Sequence, residues 1–241
     1  MKWICKVCGY ENAIELEPLG HDWEKDYTVD LEPTYETMGS KSIHCSRCDI
    51  SKEDSIVSIP VLSSIPFVDV SETEYFYDAV LWALENEITT GTSPTTFEPY
   101  TTCTRGQELT FLWRVAGKPA YTLTKNPFED INDTDYFYDA VLWALENEIT
   151  TGTSPTTFEP YTPVTRAQVV TFLWREAGEP IPEITENPFV DVDETQYYYQ
   201  AVLWALENGI TTGTSPTTFE PDVGCLRGQI VTFLFRYSKV R

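Results

Sequence analysis

The sequence predicts an all-α protein built from three copies of a helix–loop–helix unit, preceded by a small cysteine-bearing module. Two observations carry this. Phe67, Phe128 and Phe189 stand 61 residues apart, each preceded by Pro, and Tyr75–Thr101 is identical to Tyr136–Thr162 at all 27 positions; Tyr197–Val223 matches at 22. Within each copy, helical hydrophobic spacing is interrupted by Gly and Pro and then resumes. A unit this short cannot bury its own apolar face, so the copies must pack on one another. The repeat sets the boundaries: a module over 1–62, then units over 63–124, 125–185 and 186–241.

The first helix of a unit is expected over Tyr75–Asn86. Phe76, Ala79, Val80, Ala83 and Leu84 fall on one stripe, with Asp78 and Glu85 opposite. Gly91, Pro94 and Pro99 then mark Ile88–Tyr100 as a loop. Thr104-Arg-Gly-Gln107 has the form of a capping box and opens a second helix with Leu109, Leu112, Trp113 and Ala116 on its apolar stripe. Gly117 and Pro119 stop it. Copy two repeats the signals with Thr165, Gln168 and Gly178, whereas copy three has Leu226 at the cap position.

Arg105, Arg166 and Arg227 occupy the first helical position, where the helix dipole disfavours a cation. On the helical wheel Arg105 points toward Leu109, Leu112 and Ala116, the packed side. Two readings follow: an anion-binding corner made of the guanidinium and the free helix N–H groups, or an Arg paired with a carboxylate such as Asp69, Asp130 or Asp191. Trp82, Trp143 and Trp204 sit at the edge of the apolar stripe beside Asn86, Asn147 and Asn208, placed either to stack on sugar faces or to pack between repeats. The loops Thr89–Thr96, Thr150–Thr157 and Thr211–Thr218 offer hydroxyls and backbone amides to a polar ligand, or simply form turns.

These motifs resemble the S-layer homology domain. The resemblance rests on Phe67-Val-Asp-Val70, Ala201-Val-Leu-Trp-Ala-Leu-Glu-Asn-Gly-Ile210, the Gly-Thr-Ser-Pro-Thr-Thr-Phe loops and Thr165-Arg-Ala-Gln168, and it covers residues 63–241. It implies a pseudo-threefold spindle formed within one chain, located outside the cell at the bacterial wall or S-layer. It also implies non-covalent anchoring to a secondary cell-wall polysaccharide, an acidic glycan often bearing pyruvate ketals. The glycan-binding residues it points to are Arg105, Arg166 and Arg227, with Gln107 and Gln168 where the family has Glu, and Trp82, Trp143 and Trp204 holding sugar faces. Glu87 and Glu148 stand where the family has Gly, and Leu226 where it has Thr.

Cys5-Lys-Val-Cys8 and Cys45-Ser-Arg-Cys48 are two C-x-x-C pairs, the usual arrangement for a tetrahedral structural zinc. The expected ligands are Cys5, Cys8, Cys45 and Cys48, with His21 as an alternative; the competing reading is two thiol pairs without metal. Leu19-Gly20-His21 following Cys8-Gly9 resembles the Cys-knuckle modules of secreted Gram-positive surface proteins, a zinc-ribbon-like, β-rich unit. That resemblance implies that a larger N-terminal region of a parent protein precedes this chain. In the repeats no cofactor is expected. Cys103 and Cys225, at equivalent positions of copies one and three, either pair or remain buried thiols.

Composition narrows the partners. With 16 Lys and Arg against 38 Asp and Glu, the chain carries −22, which argues against nucleic acid. No apolar run is long enough to insert in a membrane. Two histidines and no recognisable pairing of carboxylates argue against an enzyme. The function expected is therefore surface anchoring on a wall polysaccharide; the alternative is a helical-repeat module that binds another protein.

Overall fold

Three helices meet around a common axis in the computed structural model, which describes residues 20–33, 37–60 and 65–241, together with the backbone of 2–4 and 11–13. The chain divides into two compact units, Met1–Ser64 and Ile65–Arg241. In the second unit each repeat supplies a short helix and a longer one: α1 Tyr77–Glu85 and α2 Arg105–Val115, α3 Tyr138–Glu146 and α4 Arg166–Glu176, α5 Tyr199–Glu207 and α6 Arg227–Tyr237. The short helices start two residues later than the periodicity suggests, because Tyr75 turns outward and is exposed.

The packing is cyclic. The long helix of each repeat pairs with the short helix of the next: α2 with α3, α4 with α5, and α6 back onto α1. The long helices also pack together in the centre. Their N-terminal halves are consequently buried nearly all round, including Thr110, Phe111, Thr171, Phe172, Thr232 and Phe233, well beyond the single stripe that their sequence suggests.

The strand-like segments that lead into the long helices close the ring. Cys103 N–H donates to Cys225 O (2.9 Å), Cys225 N–H to Val164 O (2.8 Å) and Val164 N–H to Cys103 O (3.0 Å). Cys103 and Cys225 remain thiols, fully buried, and burial pushes the Cys103 thiol up to about 12. Each thiol donates to a glutamine one turn on, Cys103 to Gln107 and Cys225 to Gln229.

The first unit is made of short antiparallel strands: β1 Lys2–Ile4 with β2 Glu11–Ala13; β3 Thr28–Leu31, β4 Gly39–Ser42 and β7 Val57–Ile59 in that order; and the hairpin β5 His44–Cys45 with β6 Cys48–Ser51. Among its described residues only Gly39, Ser42, Cys45 and Ser55 are buried, while Val29, Leu31, Ile50 and Ile56 are exposed. Cys5 and Cys8, two of the expected zinc ligands, lie outside the described residues.

Two local conflicts lend themselves to measurement. Glu108 is fully buried on α2, its carboxyl oxygens have no hydrogen-bond partner, and the equivalent residues are Val169 and Ile230. Burial holds its carboxyl well above the ordinary 4.5, with Arg105 pulling the other way. The folded chain thus keeps a proton that the unfolded chain loses, and stability falls as pH rises above that ordinary value. Glu108→Val should stabilise the protein by on the order of 2 kcal/mol, and the gain in Tm should be larger at pH 8 than at pH 5. Glu148 holds φ 58° just past the end of α3, where the third repeat has Gly209. Glu148→Gly should therefore add about 1 kcal/mol in urea unfolding.

Candidate functional site

The N-terminus of each long helix is already satisfied by the neighbouring repeat. Arg105 N–H donates to Thr162 O (3.0 Å) and Gly106 N–H to Pro160 O (2.9 Å). The same bonds join Arg166 to Val223, Ala167 to Pro221, Arg227 to Thr101 and Gly228 to Pro99. Thr104 and Thr165 take the next N–H through their hydroxyls, completing the capping boxes with Gln107 and Gln168. The expected corner of free helix N–H groups is therefore not what the fold presents, because inter-repeat carbonyls occupy those donors.

The arginines are held instead by their side chains. Arg105 Nε donates to Phe158 O (2.9 Å), Arg166 Nε to Phe219 O (2.8 Å) and Arg227 Nε to Phe97 O (2.8 Å), each in the following repeat of the ring. Every guanidinium lies between two phenylalanine rings. For Arg227 these are Phe97 at 4.8 Å and Phe111 at 5.4 Å; Arg105 has Phe158 and Phe172, and Arg166 has Phe219 and Phe233. All three are only 3–4% exposed. Burial draws the pKa of Arg105 and Arg166 down from the ordinary value, yet guanidinium remains charged.

No carboxylate among the described residues makes an ion pair with any of the three. Asp69, Asp130 and Asp191, the acids named as alternatives, do other work. Asp69 accepts the N–H of Phe97 (2.9 Å) and Glu98 (2.7 Å), and the other two repeat this. The Phe97–Glu98 peptide is thus fixed on one side by Asp69 and on the other by Arg227. That clamp maintains a left-handed φ of 57–58° at Glu98, Glu159 and Glu220.

Two of the arginines, Arg227 and Arg166, each line a groove that all three repeats build. The first has a volume of about 350 Å³ and contains Arg227 from repeat three, Thr89–Thr92, Gln107 and Arg114 from repeat one, and Tyr136 from repeat two. The second, about 310 Å³, contains Arg166, Thr211–Thr214, Gln229, Arg236 and Tyr75. These volumes sit at the small end of ligand sites, on the scale of one or two sugar rings. Tyr197, Arg105 and Arg175 are the corresponding residues of the third arc, and both arginines lie within electrostatic reach of Tyr197. Gly91 (φ 85°) bends the first loop into its groove; a Cβ there would meet Phe67 and Thr96 O at 2.5 Å.

The grooves redistribute the expected residues. Gln107 does line one, its carbonyl oxygen already accepting Thr104 N–H (3.1 Å), so its NH₂ is the part left to offer a ligand. Gln168 makes the same bond with Thr165 in the third arc. The cap missing at Leu226 belongs to the groove of Arg166, not to that of Arg227, which keeps all its contacts. The tryptophans line neither of these two grooves, but Trp82 with Asn86 and Trp204 with Asn208 border two further cavities of about 420 and 470 Å³. Trp143 and Trp204 are buried, Trp204 against Tyr237, and Trp82 packs on Phe235 at 5.6 Å. Asn86 closes its own helix by donating to Trp82 O.

The aromatic rings at the groove rims are Tyr75 and Tyr136, 63% and 61% exposed, which sequence reasoning missed. Their presence in all three copies beside a buried aromatic, with Tyr197 the third, was the available signal. In the first unit, His21, Cys45 and Cys48 bring their ligand atoms within 4.8 Å of one another, a group able to hold a metal ion.

The sequence model of the S-layer homology domain matches residues 66–107, 127–170 and 188–231, one match per repeat. The chain belongs to that family. S-layer homology domains are cell-surface anchoring modules. An endoglucanase of Bacillus sp. (strain KSM-635) is 33% identical over 110 residues, 46% of this chain but only 11% of that protein. The chain thus spans about a tenth of the length of the curated relative. Among the described residues no helix is long and apolar enough to cross a membrane.

Because each arginine ties its repeat to the next, its removal is expected to loosen the ring. Arg105→Ala strands the Phe158 carbonyl and empties the slot between two rings, which should cost roughly 2–4 kcal/mol in urea unfolding. Arg105→Lys should recover only part of this, since an ammonium lacks the planar fork.

Proposed function

We propose that this chain anchors a longer exported protein at the bacterial cell surface by binding an acidic secondary cell-wall polysaccharide in the inter-repeat grooves. One observation carries the reading: three guanidiniums are buried and unpaired with any described carboxylate, and two of them, Arg227 and Arg166, border a groove. A cation this desolvated gains most from an anion that docks directly on it. A carboxylate-bearing sugar, such as one with a pyruvate ketal, would place its charge at Arg227 in the first groove and Arg166 in the second. Arg114 and Arg236 add a second cation to these grooves. The threonine loops offer hydroxyls to the sugar, and Tyr136 and Tyr75 offer a ring to its apolar face. No catalytic step is proposed; any enzymatic activity would belong to other parts of a parent protein.

Sedimentation with native walls and with walls stripped of the secondary polymer tests this. Wild type should pellet with native walls and stay in solution with stripped ones. Since Tyr75, Tyr136 and Tyr197 are exposed, Tyr→Ala changes spare the fold, and each should weaken binding by about 5–30-fold, the equivalent of 1–2 kcal/mol. Unchanged sedimentation of the triple Tyr→Ala variant, or equal binding to stripped walls, would sink the reading.

A further inference from the structure

We propose that His21, Cys45 and Cys48 are three ligands of a structural zinc site that holds the first unit together. The spacing of the sequence favours four cysteines; the geometry favours a histidine in the set. Cys48 Sγ and His21 Nδ1 are 3.4 Å apart. Zn–S and Zn–N bonds meeting at the tetrahedral angle span about 3.6 Å between ligand atoms, so the pair already has the separation of two neighbouring ligands. Cys45 Sγ completes a group within 4.8 Å.

The surroundings favour a metal-bound thiolate. Cys45 is buried, and its sulfur accepts two backbone N–H groups, Asp22 (3.3 Å) and Arg47 (3.5 Å). Donors converging on a sulfur stabilise the thiolate, which is the form that ligates. The segment bearing His21 is pinned to the β5–β6 hairpin by Ser46 N–H to Asp22 O (2.8 Å) and Glu24 N–H to His44 O (2.9 Å). The imidazole also lies against the Trp23 ring at 4.7 Å, which restricts its orientation. Framework bonds therefore hold all three ligands in place.

A physical need accompanies the geometry. The described residues of this unit bury no large aliphatic or aromatic side chain, only Gly39, Ser42, Cys45 and Ser55. A small unit that buries so little apolar surface among its described residues gains stability from a cross-link or a metal. Zinc suits the donor set, since two thiolates and an imidazole are borderline-soft ligands that favour a tetrahedral ion.

The test uses the full chain, stripped of metal under reducing conditions and titrated with zinc, then with cobalt(II) as a spectroscopic substitute. The expected result is one zinc per chain and a tetrahedral cobalt spectrum with thiolate charge-transfer bands. Cys45→Ser and Cys48→Ser should each abolish binding. His21→Ala should weaken it at least as much as the roughly 10–100-fold typical of losing a mere outer-shell partner. His21→Cys should keep the metal and increase the thiolate charge-transfer intensity, which a purely structural histidine would not do. The assignment is overturned if His21→Ala binds zinc like wild type, or if His21→Cys leaves the cobalt spectrum unchanged. It is equally overturned if a Cys5→Ser/Cys8→Ser variant loses the metal while His21→Ala retains it, which would return the site to four cysteines.

Discussion

Three backbone hydrogen bonds run in a circle through Cys103, Val164 and Cys225, and the rest of the repeat unit is arranged around that circle. A helix–loop–helix of this length leaves two apolar faces open, and a linear stack of three would leave them open at both ends. Closing α6 onto α1 removes the ends altogether. Closure also determines where the helix N-terminal donors go. They are used between repeats, on Thr162, Pro160 and their counterparts, and so are absent from the ligand surface. Each arginine follows the same logic. Its backbone and its Nε both bond to the adjacent repeat, which makes one residue a joint, and Arg166 and Arg227 are by their position also walls of the two grooves.

The coupling of joint and groove makes several residues of each copy depend on one another. A change at Phe97 alters the ring above Arg227, the carbonyl that Arg227 holds and the peptide that Asp69 clamps. Glu98 adopts a left-handed conformation that an L-residue accepts only when its surroundings enforce it. The copies differ even beside the ring-closing bridges and in the buried face of the long helices. Thr102, Pro163 and Gly224 occupy equivalent places, as do Glu108, Val169 and Ile230. The last set includes a buried acid that the fold carries at some cost rather than one it requires.

Much of this architecture was legible in local sequence signals. The 61-residue period marked the repeats, and Thr104 with Gln107 marked the start of α2 as a capping box. What escaped was set by contacts between repeats. Phe111 lies off the stripe read from the sequence because a helix in the centre is buried on several sides, and one-stripe periodicity assumes a single buried face. Trp82 was ambiguous because a ring at the edge of a stripe suits a partner helix as well as a sugar, and in the fold it both packs on Phe235 of α6 and borders a cavity beside Asn86. Tyr136 was overlooked because its groove is completed by Arg227, 91 positions further along the chain. In the first unit the paired C-x-x-C spacing put four cysteines first and His21 only as an alternative, because nothing local shows that the hairpin brings His21 to Cys48 from 27 residues away.

The net charge poses the remaining question of how a chain at −22 could hold an acidic polymer. Both parts are negative, −6 over residues 1–62 and −16 over the repeats, so the net charge supplies no long-range attraction for a polyanion. At ionic strengths where the Debye length is about 8–10 Å, most of that repulsion is screened before contact. The guanidiniums are not screened in the same way, because they lie beneath phenylalanine rings and are almost wholly removed from solvent. A charge in that setting acts over a few ångströms and strongly. Under the proposed function it would distinguish a sugar whose carboxylate fits the groove from one that merely carries negative charge, and the acidic surface would disfavour the latter. Under the proposed reading the charge excess therefore contributes to specificity, with three local attractive sites set in a surface that rejects other polyanions.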